Sequence, residues 1–288
     1  MSNLISLEDL KKHYTWLIKS PLLFESGLVA NTSYQTFFYD LTLAQIDFEP
    51  IHNSLLNRAI NNNKQRYHLP LGKYVETLFE QHFNKDSNIQ LLQQNTQVQG
   101  NKETIGEIDY LLEIDQTVTH IELAIKFYLC YNNPQDPKHW IGPNAKDNLA
   151  NKLTKNEHAF ALTKRDQHKH LWKKTPTQWQ WLIKGCWFFH PNQPKTLLKS
   201  ANSNSEQGIW FYAKEATTYI NDHQFYIPSK LEWITPSTVA TNTLDKSSLL
   251  SLVNNHFALN NRAVMIWNLT TQQRICIVNN SWPVLQAH

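Results

Sequence analysis

The clearest hydrophobic pattern in the chain lies between residues 106 and 130, where apolar and polar side chains alternate with a period of two. This period is typical of β-strands, whose successive side chains point to opposite sides. The polar residues 115–119 interrupt the pattern and predict a turn, so the segment as a whole predicts a β-hairpin. Asp109 lies on the polar side of the first strand, and Glu122 and Lys126 share one side of the second. We therefore expect Asp109 and Glu122 to approach each other, with the Lys126 ammonium on the same side.

Apolar residues that recur every three to four positions predict helices elsewhere in the chain. One helix is expected over residues 6–18, with Ser6 as its N-cap, and one or two more over 32–60. Another is expected within 68–84, where Glu76 lies beside an apolar stripe. The stripe consists of Leu71, Tyr74, Val75, Leu78, Phe79 and His82.

Around this hairpin, the sequence predicts a first strand over residues 89–100 and a buried strand over 178–190, with a kink or bulge at Gly185. Between them, the prolines of residues 132–144 predict a loop without regular structure. A helix follows the loop, with inward positions at Leu149, Leu153 and Phe160. The order helix, three strands, helix, strand predicts an α/β core with a mixed sheet flanked by helices.

A polar, proline-containing break over residues 191–208 is the best boundary candidate in the chain. Beyond it, we expect two strands, a helix capped by Ser247 or Ser248, and a hairpin that turns at residues 270–273. Four tryptophans of this region could form the core or serve as base-stacking platforms. They are Trp210, Trp233, Trp267 and Trp282. The predicted domains are an N-terminal helical layer (1–65), a core (66–198) and a small C-terminal α/β appendage (199–288).

Composition indicates a folded protein, since 41% of the 288 residues are hydrophobic and 18% are charged. The N-terminus lacks the pattern of a signal peptide, and no apolar run reaches the length of a membrane span. The three cysteines, Cys130, Cys186 and Cys276, lie in apolar surroundings that predict burial. We therefore expect a cytoplasmic protein that does not bind a membrane.

Charge is distributed unevenly along the chain. Residues 146–174 carry eight Lys or Arg against three acids, whereas the preceding part of the chain is acidic. Basic side chains on a helix suit a phosphate backbone, so Lys146, Lys152 and Lys155 are candidate contacts to nucleic acid, with DNA as the expected partner. A solvated helix face is the alternative reading of the same pattern.

Two carboxylates on adjacent strands need a compensating cation, because like charges in a partly desolvated site disfavour each other. A divalent metal such as Mg²⁺ or Mn²⁺ between Asp109 and Glu122 would supply it and leave room for a phosphate oxygen and a water. Lys126 could then orient that water. The simpler alternative is a surface strand with an ordinary Glu/Lys pair. The sequence contains no motif of a nucleotide-binding loop, a zinc protease or a serine hydrolase.

Four blocks of the sequence, LGKYVETLFE, GEIDYLL, HIELAIKFYL and WIGPNAKDNLANKL, resemble the DUF1853 family. The helix-borne acid followed by the hairpin acids and lysine is similar to the core of the PD-(D/E)XK nuclease superfamily. This resemblance implies a restriction-endonuclease-like core and a metal-dependent nuclease. In it, Asp109 and Glu122 are the metal ligands, Lys126 acts at the nucleophile, and Glu76 is an outer ligand or a base that positions water.

The chain departs from the superfamily pattern at one point. The acid and lysine of the third motif are usually two residues apart, whereas Glu122 and Lys126 are separated by four, with Ala124 between them. The change displaces one partner by roughly 6–7 Å along the strand but keeps both on one side. Two alternatives to a nuclease therefore stay open: a non-catalytic nucleic-acid-binding protein with the same fold, and a protein-interaction module with a tryptophan-rich C-terminal interface.

Overall fold

A computed structural model describes residues 5–25, 46–61, 69–101, 103–236 and 242–283. The main helices are α1 (Leu7–Lys19), α2 (Phe48–Asn61), α3 (Leu71–Lys85), α4 (Leu149–Lys164), α5 (Ala216–Tyr219) and α6 (Lys246–Leu259). The strands are β1 (Ile89–Gln99), β2 (Thr104–Ile114), β3 (Thr117–Cys130), β4 (Trp140–Ile141), β5 (Gln178–Phe189), β6 (Gln207–Tyr212), β7 (Phe225–Tyr226), β8 (Val264–Asn268) and β9 (Gln273–Val278). The predicted order helix, three strands, helix, strand is confirmed, with the short β4 added before α4.

The nine described strands form a mixed sheet in the order β1-β2-β3-β5-β6-β9-β8-β7, with β4 paired to β3. The pairs β1–β2 and β2–β3 are antiparallel, whereas β5–β6 and β6–β9 are parallel. Strand β8 is antiparallel to both β9 and β7. The expectation of a mixed sheet flanked by helices is therefore confirmed.

The chain divides into two compact units. The first comprises Met1–Ile125 and Leu153–Lys184, and the second comprises Lys126–Lys152 and Gly185–His288. Strands β3 and β5 each begin in the first unit and end in the second. The separate prediction of a helical layer, a core and a C-terminal appendage stays a prediction.

The central hairpin has a tighter turn than the sequence predicted. Ile114 already pairs with Thr117, so only Asp115 and Gln116 lie between the strands. Both have positive φ angles, 46° and 64°. Two successive positive φ values match the right-handed twist of the flanking strands in a two-residue turn. Residues 117–119, expected in the turn, belong instead to β3.

In the first unit, α1 and α3 pack through buried histidine–tyrosine pairs. The Tyr14 hydroxyl lies 2.7 Å from Nδ1 of His82, and the Tyr74 hydroxyl lies 3.0 Å from Nδ1 of His13. The predicted N-cap of α1 is confirmed, because the Ser6 hydroxyl accepts a hydrogen bond from the Asp9 amide. The predicted apolar stripe of α3 is buried throughout. Of the helices expected over 32–60, α2 is described, and residues 26–45 lie outside the described part.

Gly185 is required by the close approach of two strands. Its φ is +143°, and a Cβ built on it would lie 1.6 Å from the carbonyl oxygen of Lys126. A side chain at this position would therefore push β5 away from β3. The sequence predicted a kink or bulge here, and the structure gives the backbone contact as the physical reason for the glycine.

Several expectations for the second unit need correction. The N-cap of α6 is Asp245, whose carboxylate accepts from the Ser248 amide, rather than Ser247 or Ser248. The proline-rich segment expected to lack regular structure contains the short strand β4 and a 3₁₀ turn at Pro137–His139. The strand predicted to start near residue 209 ends at Tyr212 and continues into helical turns.

Aromatic side chains and thiols fill the interior of the second unit. The four tryptophans considered as stacking platforms are buried, which agrees with the core alternative; they are Trp210, Trp233, Trp267 and Trp282. The cysteines Cys130, Cys186 and Cys276 are buried free thiols, as predicted. Within the described ranges, no helix is both long and apolar enough to cross a lipid bilayer.

The His82–Tyr14 pair predicts an acid-sensitive step in folding stability. Burial lowers the pKa of His82 to about 4 from an ordinary value of 6.5. Between these values the unfolded state binds more protons, so the contribution is complete above pH 6.5 and is lost as the pH falls towards 4. We expect His82→Gln, which keeps a hydrogen-bonding side chain, to melt with a smaller drop in Tm between about pH 7 and pH 5.

The matched control is His170→Gln, because His170 is exposed. It should retain the wild-type pH dependence of Tm, measured by circular dichroism in buffers of equal ionic strength. An unchanged dependence in His82→Gln would show that other groups cause the acid sensitivity.

Candidate functional site

The site begins where the backbone ladder between β2 and β3 ends. The last paired residues on the side away from the turn are Tyr110 and Ile121. One position further, side chains replace the ladder: the Leu123 amide donates to Oδ2 of Asp109 at 2.8 Å, and the Asp109 amide donates to Oε1 of Glu122 at 3.4 Å. Each carboxylate therefore accepts from the backbone of the opposite strand. The structure brings Asp109 and Glu122 together, and their role as metal ligands stays a prediction.

Glu122 is held from its other side by His120, which lies on the same face of β3. Nε2 of His120 lies 3.0 Å from Oε1 of Glu122, and both side chains are buried. Burial lowers the pKa of His120 to about 3; Asp109 opposes this shift and Lys164 adds to it. The imidazole is therefore neutral near pH 7 and carries one N–H.

The partners of His120 identify which nitrogen carries that proton. A carboxylate can only accept, so Nε2–H donates to Glu122 and Nδ1 is left as an acceptor. The hydroxyl of Thr163, on α4, lies 3.0 Å from Nδ1 and 3.0 Å from the carbonyl oxygen of Phe160, so its one proton is shared between two acceptors. The indole Nε1–H of Trp179 donates to the same hydroxyl at 2.9 Å. A chain of hydrogen bonds thus runs from Trp179 through Thr163 and His120 to Glu122.

Glu76 lies on α3 and is connected to the same region through a lysine. Its carboxylate pairs with Nζ of Lys73 at 2.6 Å, and its backbone carbonyl accepts from the Tyr110 hydroxyl at 3.2 Å. The hydrogen bond to Glu76 raises the pKa of Lys73, and the charges of Glu107 and Asp109 add to the rise. Lys73 is therefore a cation within electrostatic range of Asp109.

Lys126 has a different partner from those the sequence predicted. Its ammonium forms an ion pair with Asp147, which directly precedes the N-cap region of α4. Both side chains are about a third exposed, at 28% and 34%. Gly142 donates its amide to the Asp147 carbonyl at 2.8 Å, so the loop that carries Asp147 is itself folded back.

The three lysines predicted to contact nucleic acid differ in accessibility. Lys146 and Lys155 are exposed, whereas Lys152 is partly buried on the first turn of α4. Lys164, later in the same helix, lies 4.3 Å from the centre of the Trp179 ring. The sequence singled out none of His120, Thr163, Trp179, Lys73 and Asp147. For His120, the available signal was the alternation along β3, which places His120 and Glu122 on the same face.

The candidate metal site consists of two carboxylates, those of Asp109 and Glu122. Among the described residues, no group of three or more His, Cys, Asp or Glu side chains is arranged to hold a metal ion. Asp109 and Glu122 nevertheless suit Mg²⁺ in their chemistry, since this ion commonly takes one or two protein carboxylates and completes its shell with water or phosphate oxygens. The donor set therefore fits a magnesium or manganese ion that keeps most of its waters.

Fold and site together define a mixed α/β protein with two carboxylates fixed at the open end of a hairpin ladder. The family model described as "Domain of unknown function (DUF1853)" matches residues 12–281, so the chain belongs to this family. No curated protein and no solved structure matches the chain. The resemblance to DUF1853 is confirmed.

This chain of hydrogen bonds predicts that removing its central hydroxyl, that of Thr163, lowers the free energy of unfolding. Thr163→Val keeps the shape of the side chain but leaves Nδ1 of His120 and Nε1 of Trp179 without their shared partner. We expect the free energy of unfolding to fall by about 1–3 kcal/mol, because buried polar groups that lose a partner keep their desolvation cost. Denaturant melts with an unchanged m-value would measure it.

The control is Thr154→Val, at an exposed position of the same helix. It carries the same change in helix propensity and should alter stability by no more than about 0.5 kcal/mol. Equal losses in the two variants would mean that the valine, and not the lost hydrogen bonds, causes the effect.

Proposed function

We propose that the chain is a metal-dependent phosphodiesterase of the PD-(D/E)XK type that acts on nucleic acid, with DNA as the first substrate to test. The carrying observation is the Asp109–Glu122 pair at the end of the β2–β3 ladder. The order of elements supports a restriction-endonuclease-like core, since such cores have a helix, three strands, a helix and a strand in this order. Here these elements are α3, β1, β2, β3, α4 and β5. The DUF1853 family is then a branch of this superfamily.

On this proposal, Asp109 and Glu122 hold Mg²⁺ or Mn²⁺. When bound, such an ion lowers the pKa of a coordinated water and polarises a phosphoryl oxygen. The chain's own residues do the positioning. His120 fixes the orientation of the Glu122 carboxylate through its Nε2–H, as second-sphere donors commonly do at metal sites. Glu76 serves as an outer ligand or a base that positions water, and its partner Lys73 offsets negative charge near Asp109.

Lys126 is proposed to orient the attacking water. An ammonium has three hydrogens to donate, so an ion pair with Asp147 leaves capacity for a second acceptor. Asp147 then restricts the lysine to part of its rotamer range. Such a restraint replaces the fixed spacing of the usual motif, in which the lysine lies two residues from the acid.

The exposed lysines supply the proposed contact to the nucleic acid backbone. Lys146 and Lys155 are accessible, and Lys152 lies on the first turn of α4. Contacts between ammonium groups and phosphates depend on counterion release and carry no sequence information. These three residues would therefore contribute affinity without selecting a base sequence.

A second function, nucleic-acid binding without cleavage, is favoured by one observation. Lys126 is paired with Asp147, and a lysine held away from the water would leave the fold and the carboxylates intact while abolishing the reaction. The same chain could then act as a binding or protein-interaction protein. Cleavage assays separate the two functions.

The proposed metal site predicts linked losses of binding and cleavage. Mn²⁺ at about a hundredfold above its Kd should stabilise the wild type by about 2.7 kcal/mol, seen as a rise in Tm. Asp109→Asn and Glu122→Gln should each remove that rise and lower the rate of Mg²⁺-dependent DNA cleavage by more than about a hundredfold, beyond the loss typical of second-sphere changes. Lys126→Ala should lower cleavage and keep the metal-induced rise.

Glu157→Gln is the matched control, since Glu157 is an exposed carboxylate on α4. It should behave as wild type in both measurements. A metal-induced rise that survives in Asp109→Asn would remove the assigned site. Salt-dependent binding of DNA or RNA by a wild type that cleaves neither would establish the non-catalytic function instead.

The proposed backbone contacts predict a change in salt dependence. Replacing Lys155 by Ala should reduce the slope of log K against log salt by about 0.9, because one phosphate contact fewer releases one counterion fewer. Fluorescence anisotropy with a duplex oligonucleotide at several salt concentrations measures this slope. Lys146→Ala should give a similar reduction.

Lys85→Ala removes an exposed lysine at the end of α3 and provides the control. Its slope should match that of the wild type. If all three variants lose the same amount, the effect reflects net charge, and the segment 146–174 has no special role in binding.

A further inference from the structure

A buried asparagine on α4 lacks hydrogen-bond partners. Asn156 has no exposed surface, and neither its Oδ1 nor its Nδ2 has a partner among the residues that the structure describes. A buried amide without partners lowers stability, so such groups usually serve a bound water, an ion or a ligand. The position of Asn156 decides which of these applies.

Contacts along α4 give the direction of the helix across the hairpin. Nε2 of His158 lies 2.8 Å from the carbonyl oxygen of Ile105, at the end of β2 far from the turn. The hydroxyl of Thr163, five residues later, lies 3.0 Å from Nδ1 of His120, whose cross-strand partner Leu111 is nearer the turn. The helix therefore runs towards the turn, opposite to β3. Residues earlier in α4 lie beside later residues of β3.

This direction places Asn156 level with Glu122. The Phe160 ring lies 4.9 Å from the ring of His120. Asn156 precedes Phe160 by four residues, about 6 Å along the helix. Glu122 follows His120 by two residues, about 7 Å along the strand and on the same face. Both steps lead away from the turn, so the amide and the carboxylate lie at the same level between α4 and the sheet.

A second buried donor without a partner lies at the same level as Asn156 and Glu122. The indole N–H of Trp181 is buried and has no acceptor among the described residues, and its ring stacks on Phe160 at 6.3 Å. The Thr177 amide donates to the Val118 carbonyl, and Gly185 lies against Lys126. In both contacts, the residue numbers of the two partners differ by the same amount. Strand β5 is therefore parallel to β3, and Trp181 lies beside Glu122.

We infer that Asn156 and Trp181 form a polar wall of the Glu122 site and bind a phosphate group there. Nδ2 of Asn156 and Nε1 of Trp181 donate to phosphate oxygens, and Oδ1 of Asn156 accepts from a water held by the ligand. The inference rests on the proposed function and assigns it a substrate-binding pair that adds no charge. Asp109 and Glu122 are proposed to hold the metal cation, so neutral donors suit the neighbouring position that binds the phosphate.

Thymidine 5′-monophosphate is a suitable probe, since it presents a phosphate without the long backbone that the surface lysines would bind. In the presence of Mn²⁺, Asn156→Leu should bind it about tenfold to a hundredfold more weakly than the wild type, as measured by calorimetry. The Tm of the unliganded variant should be equal or higher, because leucine has a similar size and removes two unpartnered polar atoms. Asn156→Asp, which lacks the donor, should show the same loss of affinity if Asn156→Leu does not fold.

Asn151→Leu is the matched control, at an exposed asparagine on the same helix, and should bind as the wild type does. Wild-type affinity in Asn156→Leu, or a wild type that does not bind the probe, would overturn the inference. A lower Tm with unchanged affinity would assign the amide to a structural water. Loss of binding in Asn156→Leu, with a wild type that binds the probe but cleaves no nucleic acid, would keep the phosphate site and reject the nuclease.

Discussion

The end of the β2–β3 ladder is the constraint on which the candidate site depends. Two backbone amides that would otherwise pair across the strands donate instead to Asp109 and Glu122. A buried carboxylate is costly unless it is hydrogen-bonded, and these amides provide part of that compensation. The strands can therefore separate at this point without leaving orphaned amides. The acids are part of the fold as well as candidates for its chemistry.

The neutral state of His120 follows from the same constraint. An imidazolium beside Glu122 would form a buried ion pair, whose desolvation cost commonly exceeds its Coulombic gain. A neutral ring that donates once and accepts once avoids that cost, and Thr163 and Trp179 extend the chain of hydrogen bonds. The nearby cation Lys73, whose ammonium pairs with Glu76, stays half-exposed, and the charge of Asp109 helps to raise its pKa.

Local patterns predicted the parts of the site that depend on local geometry. Alternation within β2 and β3 was enough to place Asp109 and Glu122 next to each other on the same face of the hairpin, because side chains in a strand point to the same side every two residues. The length of the turn was predicted wrongly, since Asp115 and Gln116 adopt positive φ without the Asn-Gly or Asp-Gly signature of such turns. The partners of His120 and Lys126 were missed because Thr163, Trp179 and Asp147 reach them only through packing between elements distant in sequence.

Hydrogen bonds within the chain hold the two acids in place without a metal ion. In many metal sites the ion organises its ligands, and removing it disturbs the local fold. Here hydrogen bonds from the backbone and from His120 already fix the carboxylates. A chain that lost cleavage would therefore keep Asp109, Glu122 and His120 for structural reasons alone. The acid pair is therefore compatible with both functions, and so is a phosphate contact from Asn156 and Trp181, because a nuclease and a binding protein both hold phosphate. The two functions differ at Lys126, which orients the attacking water in the nuclease alone.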